Sequence, residues 1–305
     1  MNEPVYLETG DGHTLAVYCR GQRNKPAVIV CHGGPGGSIN DASFECFDLD
    51  QWFVIAFDQR GCGRSTPFAS LHNNTIFHSV SDMEIIRNHF NLDSWVVFGG
   101  SYGTTLALTY AIHHKHRVKA LVLRGIFLGR DEDIQWLYQA GCSYFFPTHF
   151  ESFKAVIPKE KQGDLVSAYY EIFKSADESL KRRAAKAWAD WEMSVVRLIP
   201  PDDLSSIEIK DSDISLALLE CHYFANHMFW DDDNYILNNV STIQDIATYI
   251  AHGRYDVDCR PSGAYELALH LDKCELVFTE ASGHSGSEPN TQAALTRFMK
   301  HLETQ

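Results

Sequence analysis

Long apolar runs are missing from this chain. No stretch of about eighteen consecutive apolar residues occurs, which excludes a membrane-spanning helix. Basic residues are scarce: 26 Lys and Arg against 40 Asp and Glu leave a net charge of −14. That balance argues against a nucleic-acid partner and against an anionic membrane surface. The 8 cysteines are scattered, without C-x-x-C or C-x-x-H pairs, so no metal site is expected from them. Met1-Asn2-Glu3-Pro4 lacks the basic and apolar regions of a secretory signal. The thiols therefore read as reduced, in a cytoplasmic protein. Internal repeats and low-complexity tracts are absent too, and nothing in the pattern speaks to oligomeric state.

What is present is enough apolar material for a sizeable core, at 45% hydrophobic residues, with 22% charged. Residues 5–9 and 14–19 alternate around Gly10-Asp11-Gly12, the pattern of an opening hairpin. Apolar runs recur at 27–30, 52–57, 95–98 and 120–123, separated by helical or glycine-rich segments, and return at 247–251 and 275–278. Such alternation predicts an α/β protein, a mostly parallel sheet with helices on both faces. Between 131 and 239 the rhythm breaks, and Trp, Tyr, Lys and Glu recur at helical spacing. The expected division is a catalytic domain of 1–127 and 240–305, with a helical cap of 128–239 inserted after the sixth strand.

The chemistry is concentrated in a few short stretches. Gly99-Gly100-Ser101-Tyr102-Gly103 is a G-x-S-x-G motif between the apolar run Trp95-Val96-Val97-Phe98 and a helix-like run beginning at Thr104. A strand turning sharply into a helix strains its middle residue and lifts the serine hydroxyl clear of the sheet. A serine hydroxyl is a weak nucleophile, so it needs a histidine base, and the histidine needs a carboxylate to hold its tautomer. Asp256 follows a short apolar run ending in a glycine turn, and His284 lies in Ser282-Gly283-His284-Ser285-Gly286 after the last strand-like run. Serine, acid, histidine is the chain order of the α/β-hydrolase triad. Activity is expected to rise with pH as His284 loses its proton, and this chemistry needs no cofactor. Cys31-His32-Gly33-Gly34-Pro35-Gly36-Gly37 follows the third strand and can offer one oxyanion donor, the N–H of Gly34. The N–H of Tyr102, after the nucleophile, offers the other. A phosphate-cradling loop is excluded there, because neither G-K-[ST] nor G-x-G-x-x-G follows Val30.

His32-Gly33-Gly34-Pro35-Gly36-Gly37, Asp58-Gln59-Arg60-Gly61-Cys62-Gly63-Arg64-Ser65, the stretch from Gly99 to Leu108, and Gly253-Arg254-Tyr255-Asp256 together resemble the proline iminopeptidases. The resemblance runs through essentially the whole chain. It implies an α/β-hydrolase fold and a serine exopeptidase releasing N-terminal proline from peptides with a free N-terminus. It also implies that Glu192 and Glu220 bind the substrate's amine, that Phe127 and Phe224 line a proline pocket, and that Cys259 lies near the active site. Tyr102 departs from the family's usual tryptophan, and Leu137, next to Tyr138, stands where the family places a pocket aromatic.

The residues fit that implication. A partly desolvated ammonium needs carboxylate partners, and a compact, stiff pyrrolidine ring suits an aromatic-lined box. Alternatives remain in an aminopeptidase or small-ester hydrolase preferring other apolar residues, or a hydrolase-fold binding protein without catalysis. Trp136, Phe145 and Phe146 are expected in the core. His113-His114-Lys115-His116 ends a helix, where cations suit the dipole, and Asp231-Asp232-Asp233 lacks the alternation of a calcium loop. Residues 58–65 are expected to shape the turn after the fourth strand, with Arg60 and Arg64 in structural ion pairs.

Overall fold

A computed structural model describes residues 2–201, 203–204 and 206–304. Its strands are β1 (Val5–Glu8), β2 (Thr14–Gly21), β3 (Ala27–Cys31), β4 (Phe53–Asp58), β5 (Trp95–Gly100), β6 (Val118–Arg124), β7 (Ala247–Gly253) and β8 (Cys274–Thr279). They form one sheet in the order β1-β2-β4-β3-β5-β6-β7-β8. β1 and β2 pair antiparallel, as does β2 with β4, and every other pair is parallel. β3 and β4 are buried along their whole length, which is why they read as unbroken apolar runs rather than alternating ones.

Both faces of the sheet are covered. Ile29, Ile55, Val97, Leu121 and Ile250 point to one face, packing with α1 (Ile76–His89) and α2 (Tyr102–His113). Their chain neighbours Val28, Val54, Val96, Val122 and Tyr249 point to the other, against Leu295, Phe298 and Met299. This is the two-residue period of a strand. The helices carry their own start signals: Thr75 accepts from His78 N–H to open α1, and proline occupies the first turn of α9 (Pro261–Leu269) and α10 (Pro289–Leu302).

Between β6 and β7 the regular elements are all helical: α3 (Asp131–Tyr138), α4 (Pro147–Lys154), α5 (Leu165–Lys174), α6 (Glu178–Val195), α7 (Asp211–Phe224) and α8 (Tyr235–Asn239), with short 3-10 turns among them. Asp164 and Asp177 cap α5 and α6 through Ser167 N–H and Leu180 N–H. Trp188 and Trp191 on α6 are fully buried among Tyr138, Phe150, Phe153 and Tyr169. This helical segment is bonded to the sheet's loops. Val257 O accepts from Trp136 Nε1 at 2.8 Å and from Cys142 Sγ at 3.1 Å, and Ser285 N–H donates to Val196 O at 2.8 Å. Trp136 and Phe146 are half-buried against the core, but Phe145 is 60% exposed. Phe145 follows a 3-10 turn that leaves it at the surface, its ring 6.5 Å from that of Trp136.

The turn after β4 organises the loop beside it. Asp58 accepts from Ile39 N–H, Arg64 N–H and Tyr18 Oη, each at 2.8 Å. Gln59 N–H donates to His32 Nε2, and Gln59 Nε2 donates to His32 O, both at 3.0 Å. The His32 loop is therefore fixed by the neighbouring strand's turn. Arg60 grips Asp82 in a buried bidentate pair at 2.7 Å and also reaches Asp11, while Arg64 pairs with exposed Glu3. No described helix is long and apolar enough to cross a membrane.

Candidate active site

Ser101 stands at the junction of β5 and α2 with φ 58° and ψ −131°, a left-handed conformation that costs a non-glycine residue about 1–3 kcal/mol. The flanking glycines make the turn possible. A Cβ on Gly99 would lie 2.4 Å from Gly103 O, and one on Gly103 would lie 2.1 Å from Cys31 O. Strand, elbow and His32 loop are packed backbone to backbone, which explains the spacing of the motif. Among the described residues neither Gly34 N–H nor Tyr102 N–H donates a hydrogen bond. Tyr102 opens α2, so its N–H lacks an intrahelical acceptor and carries the positive end of the helix dipole. The Tyr102 ring points away into the core, edge-on to Tyr223 at 5.6 Å.

His284 and Asp256 meet as the chain order suggests. His284 Nδ1 lies 2.8 Å from Asp256 Oδ2, and Asp256 Oδ1 accepts from Cys259 N–H at 2.8 Å. Nδ1 donates to the carboxylate, so Nε2 keeps its lone pair. Among the described residues that lone pair is reached by Arg124 Nη1 at 3.2 Å and not by Ser101 Oγ. Burial pushes His284 down to about 4 and Asp256 up to about 6. The imidazole is thus neutral well below neutral pH, and the rise expected from its titration moves to acid pH. His252 completes the arrangement. Its Nδ1 accepts from Ile126 N–H at 3.1 Å, so Nε2–H donates to Cys259 O at 2.9 Å and lies 3.4 Å from Asp256 Oδ2.

A cavity of about 230 Å³ holds Gly34, Ser101, Glu192, Glu220, Asp258 and His284 on its walls. Glu192 Oε1 accepts from Tyr138 Oη at 2.5 Å, and Glu220 Oε2 accepts from Trp188 Nε1 at 2.6 Å. Burial, then the neighbouring Asp258, pushes Glu192 up to about 8. Burial, then Glu192, pushes Glu220 well above the carboxylate range. Asp258 is also pushed up, by burial. Three carboxyl groups with little compensation are expensive to ionise alone, and an incoming ammonium would offset that cost.

Phe127 and Phe224 are brought together, edge-on at 5.8 Å, but neither borders this cavity. Phe127 instead borders a void of about 10 Å³ shared with Asp258 and Cys259. Leu137 is buried, while the adjacent Tyr138 stacks on Trp188 at 4.4 Å and packs against Phe224 at 5.6 Å. Tyr138 thus supplies an aromatic ring and a hydroxyl beside the glutamates. Burial next to Asp258 and Asp256 pushes the Cys259 thiol far up, so it carries almost no thiolate. Asp258, Cys259 and His284 hold their ligand atoms within 4.8 Å of one another. A protonated thiol that donates to Asp258 at 3.4 Å, and an imidazole committed to Asp256, form a hydrogen-bonded cluster rather than a ligand set.

Asp258, Arg124 and His252 escaped the sequence reading, and Tyr138 entered it only as the neighbour of Leu137. Only Arg124 carried a local signal, as a cation closing an otherwise apolar strand.

An eight-stranded, mostly parallel sheet with a strained serine elbow at a helix N-terminus defines an α/β-hydrolase, and the family model for the alpha/beta hydrolase fold matches residues 26–286. Solved structures agree on the fold. An esterase from Exiguobacterium antarcticum superposes with a TM-score of 0.61 at 20% identity, covering 99% of this chain and 100% of that one. An α/β fold family hydrolase from Bacillus anthracis gives 0.62 at 16% identity, covering 99% and 96%. Closer in sequence are the proline iminopeptidases of Xanthomonas citri, 41% identical over 95% of this chain and 93% of the relative, and of Arabidopsis thaliana, 39% identical over 95% and 77%. The chain belongs to the proline iminopeptidase family.

Proposed function

We propose that this protein is a serine exopeptidase releasing N-terminal proline from peptides with a free N-terminus. Ser101 is the nucleophile, His284 the base and Asp256 the group that orients it. Ser101 Oγ attacks the scissile carbonyl carbon while its proton passes to His284 Nε2. The carbonyl oxygen becomes an oxyanion facing the unused N–H groups of Gly34 and Tyr102. His284 then gives the proton to the leaving nitrogen, the C–N bond breaks, and proline stays esterified to Ser101. Water, deprotonated by the same imidazole, releases the proline and restores the hydroxyl.

The observation that carries this reading is the carboxyl cluster sharing one cavity with Ser101. A hydrolase for neutral esters has no use for Glu192, Glu220 and Asp258 beside its nucleophile, whereas an exopeptidase must anchor an ammonium there. We assign 128–239 as a cap that carries specificity and 1–127 with 240–305 as the catalytic domain; both glutamates lie in the former, and Ser101, Asp256 and His284 in the latter. A cytoplasmic location fits the 8 free thiols.

The test compares Pro-, Ala- and Leu-reporter turnover with N-acylated controls, in wild type and Ser101→Ala. Wild type should favour Pro and ignore the acylated forms. Ser101→Ala should lose several orders of magnitude in rate, together with labelling by a serine-directed phosphonate. Near-normal turnover by Ser101→Ala, or equal cleavage of acylated reporters, would overturn the reading.

A further inference from the structure

Arg124 is a half-buried cation without a carboxylate partner among the described residues. The other well-covered arginines all have one: Arg60 holds Asp82, Arg87 holds Glu84, and Arg130 holds Asp133. Arg124 closes β6 directly beside Gly100 in the sheet register. A Cβ on Gly100 would lie 2.5 Å from Arg124 Nη2, and one on Gly286 would lie 3.2 Å from its Nε, so the guanidinium lies closely between two glycines. Nη1 donates to His284 O at 3.0 Å and lies 3.2 Å from His284 Nε2. Burial makes the charged form costly, with Asp256 opposing that push, so an anion arriving there would be favoured.

Arg124 also separates two spaces. On one side is the cavity with Ser101 and the carboxyl cluster. On the other is a cavity of about 320 Å³ running between the His32 loop, from Ser38 to Cys46, and the segment from Ser285 to Leu295. Arg124, Ser285 and Gly286 border both. The second cavity is apolar at depth, at Phe98 and Leu295, and reaches solvent at Asn40 and Glu45. Acid on one side of the nucleophile and a cation on the other match a zwitterion.

We propose that Arg124 binds the carboxylate of the leaving amino acid, with that residue's side chain in the second cavity, so the favoured substrate is a proline-first dipeptide with a free C-terminus. This rests on the exopeptidase reading above. In the productive complex the leaving nitrogen lies about 3 Å from His284 Nε2, which must protonate it. The carboxyl carbon of a leaving amino acid is two bonds away from that nitrogen, about 2.5 Å. A guanidinium whose Nη1 is 3.2 Å from Nε2 meets that carboxylate. One additional residue carries the terminal carboxylate up to about 3.5 Å further, and an amide cap removes its charge.

The experiment measures kcat and KM for Pro-Ala, Pro-Ala-NH2 and Pro-Ala-Ala with wild type, Arg124→Gln and Arg124→Lys. Wild type should favour Pro-Ala over Pro-Ala-NH2 by about ten- to a hundredfold, mostly through KM, as for a charge-assisted pair. Arg124→Gln should bring that ratio near one, and Arg124→Lys should restore part of it. A residue that only positions His284 would slow all three substrates by a common factor and leave the ratio unchanged, which would overturn the proposal. A wild-type ratio near one overturns it without any variant, while leaving proline exopeptidase activity standing. Failure to cleave any of the three overturns both.

Discussion

Replacing Glu192 by glutamine should make the protein more stable and a poorer exopeptidase at the same time. Glu192 holds its proton up to about pH 8 in the fold, against an ordinary value of 4.5. A carboxyl with a raised folded value opposes folding increasingly as pH climbs above its unfolded value, by about 1.36 kcal/mol per unit, until the folded value is passed. Between 4.5 and 7 the full effect is on the order of 3 kcal/mol, and the contact of Glu192 with the open cavity trims it to about 2–3 kcal/mol. Glutamine keeps an oxygen for the Tyr138 hydroxyl and carries no charge. For 305 residues, at about 2.1 cal/mol/K each, that gain raises Tm by about 3–5 °C at pH 7. At pH 4.5 and below the gain should vanish. The same variant should lose about one to three orders of magnitude in kcat/KM on a Pro-reporter, because about 2–4 kcal/mol of ammonium binding goes with the charge. A small neutral ester should be hydrolysed nearly as before. Thermal melts at the two pH values and paired kinetics decide the matter. An unchanged or lower Tm at pH 7 would refute the raised folded value, and equal losses on both substrates would refute the assignment of Glu192 as an amine partner.

Three further outcomes are expected. Asp256→Asn should cut kcat steeply, by about four orders of magnitude if the tautomer is lost, with KM little changed. The pH profile of kcat/KM on a Pro-reporter should climb through about 8 as Glu192 ionises. A neutral ester should lack that limb and show only the acid-side limb of the Asp256–His284 pair, so identical profiles would contradict the assignment. Gly125→Ala should reduce turnover strongly in a protein that still folds. Gly125 has φ +60°, and its new Cβ would sit 2.7 Å from His284 Cε1; normal kcat in that variant would show that the ring's position is not critical.

Local chemistry was the legible part of this chain. Glycines at fixed offsets around Ser101 encode a turn whose reason is backbone contact, and such contact leaves its mark in the residues that make it. The parallel sheet was legible because its strands are buried on both faces and so read as apolar runs. The edge strand β8, half-exposed along most of its length, was caught over a shorter span for the opposite reason. Asp258 and His252 were invisible because nothing in their own neighbourhood distinguishes them. One acquires meaning only when α6 and α7 bring two glutamates across the chain to face it, the other when Ile126 N–H fixes its tautomer. Phe145 lies outside the core because α3 ends at Tyr138 and the 3-10 turn before Phe145 leaves its ring at the surface. Tyr138 shows how close a linear comparison can come: Leu137 occupies the expected position, and its neighbour brings the ring.

The bonds from Trp136 and Cys142 to Val257, and from Ser285 to Val196, bear on how this molecule could change. The first pair clasps the backbone one residue beyond Asp256, and the other clasps the backbone one residue beyond His284. The helices over the active site are therefore a brace more than a door. A rigid-body swing of these helices would pull on the backbone beside Asp256 and His284 together. The same linkage limits refitting: exchanging these helices for those of a relative would disturb the geometry of bond cleavage along with the choice of substrate. If residues 128–239 carry selectivity as proposed, selectivity and speed share these mechanical supports, and a mutation that breaks the bonds to Val257 or Val196 should alter both.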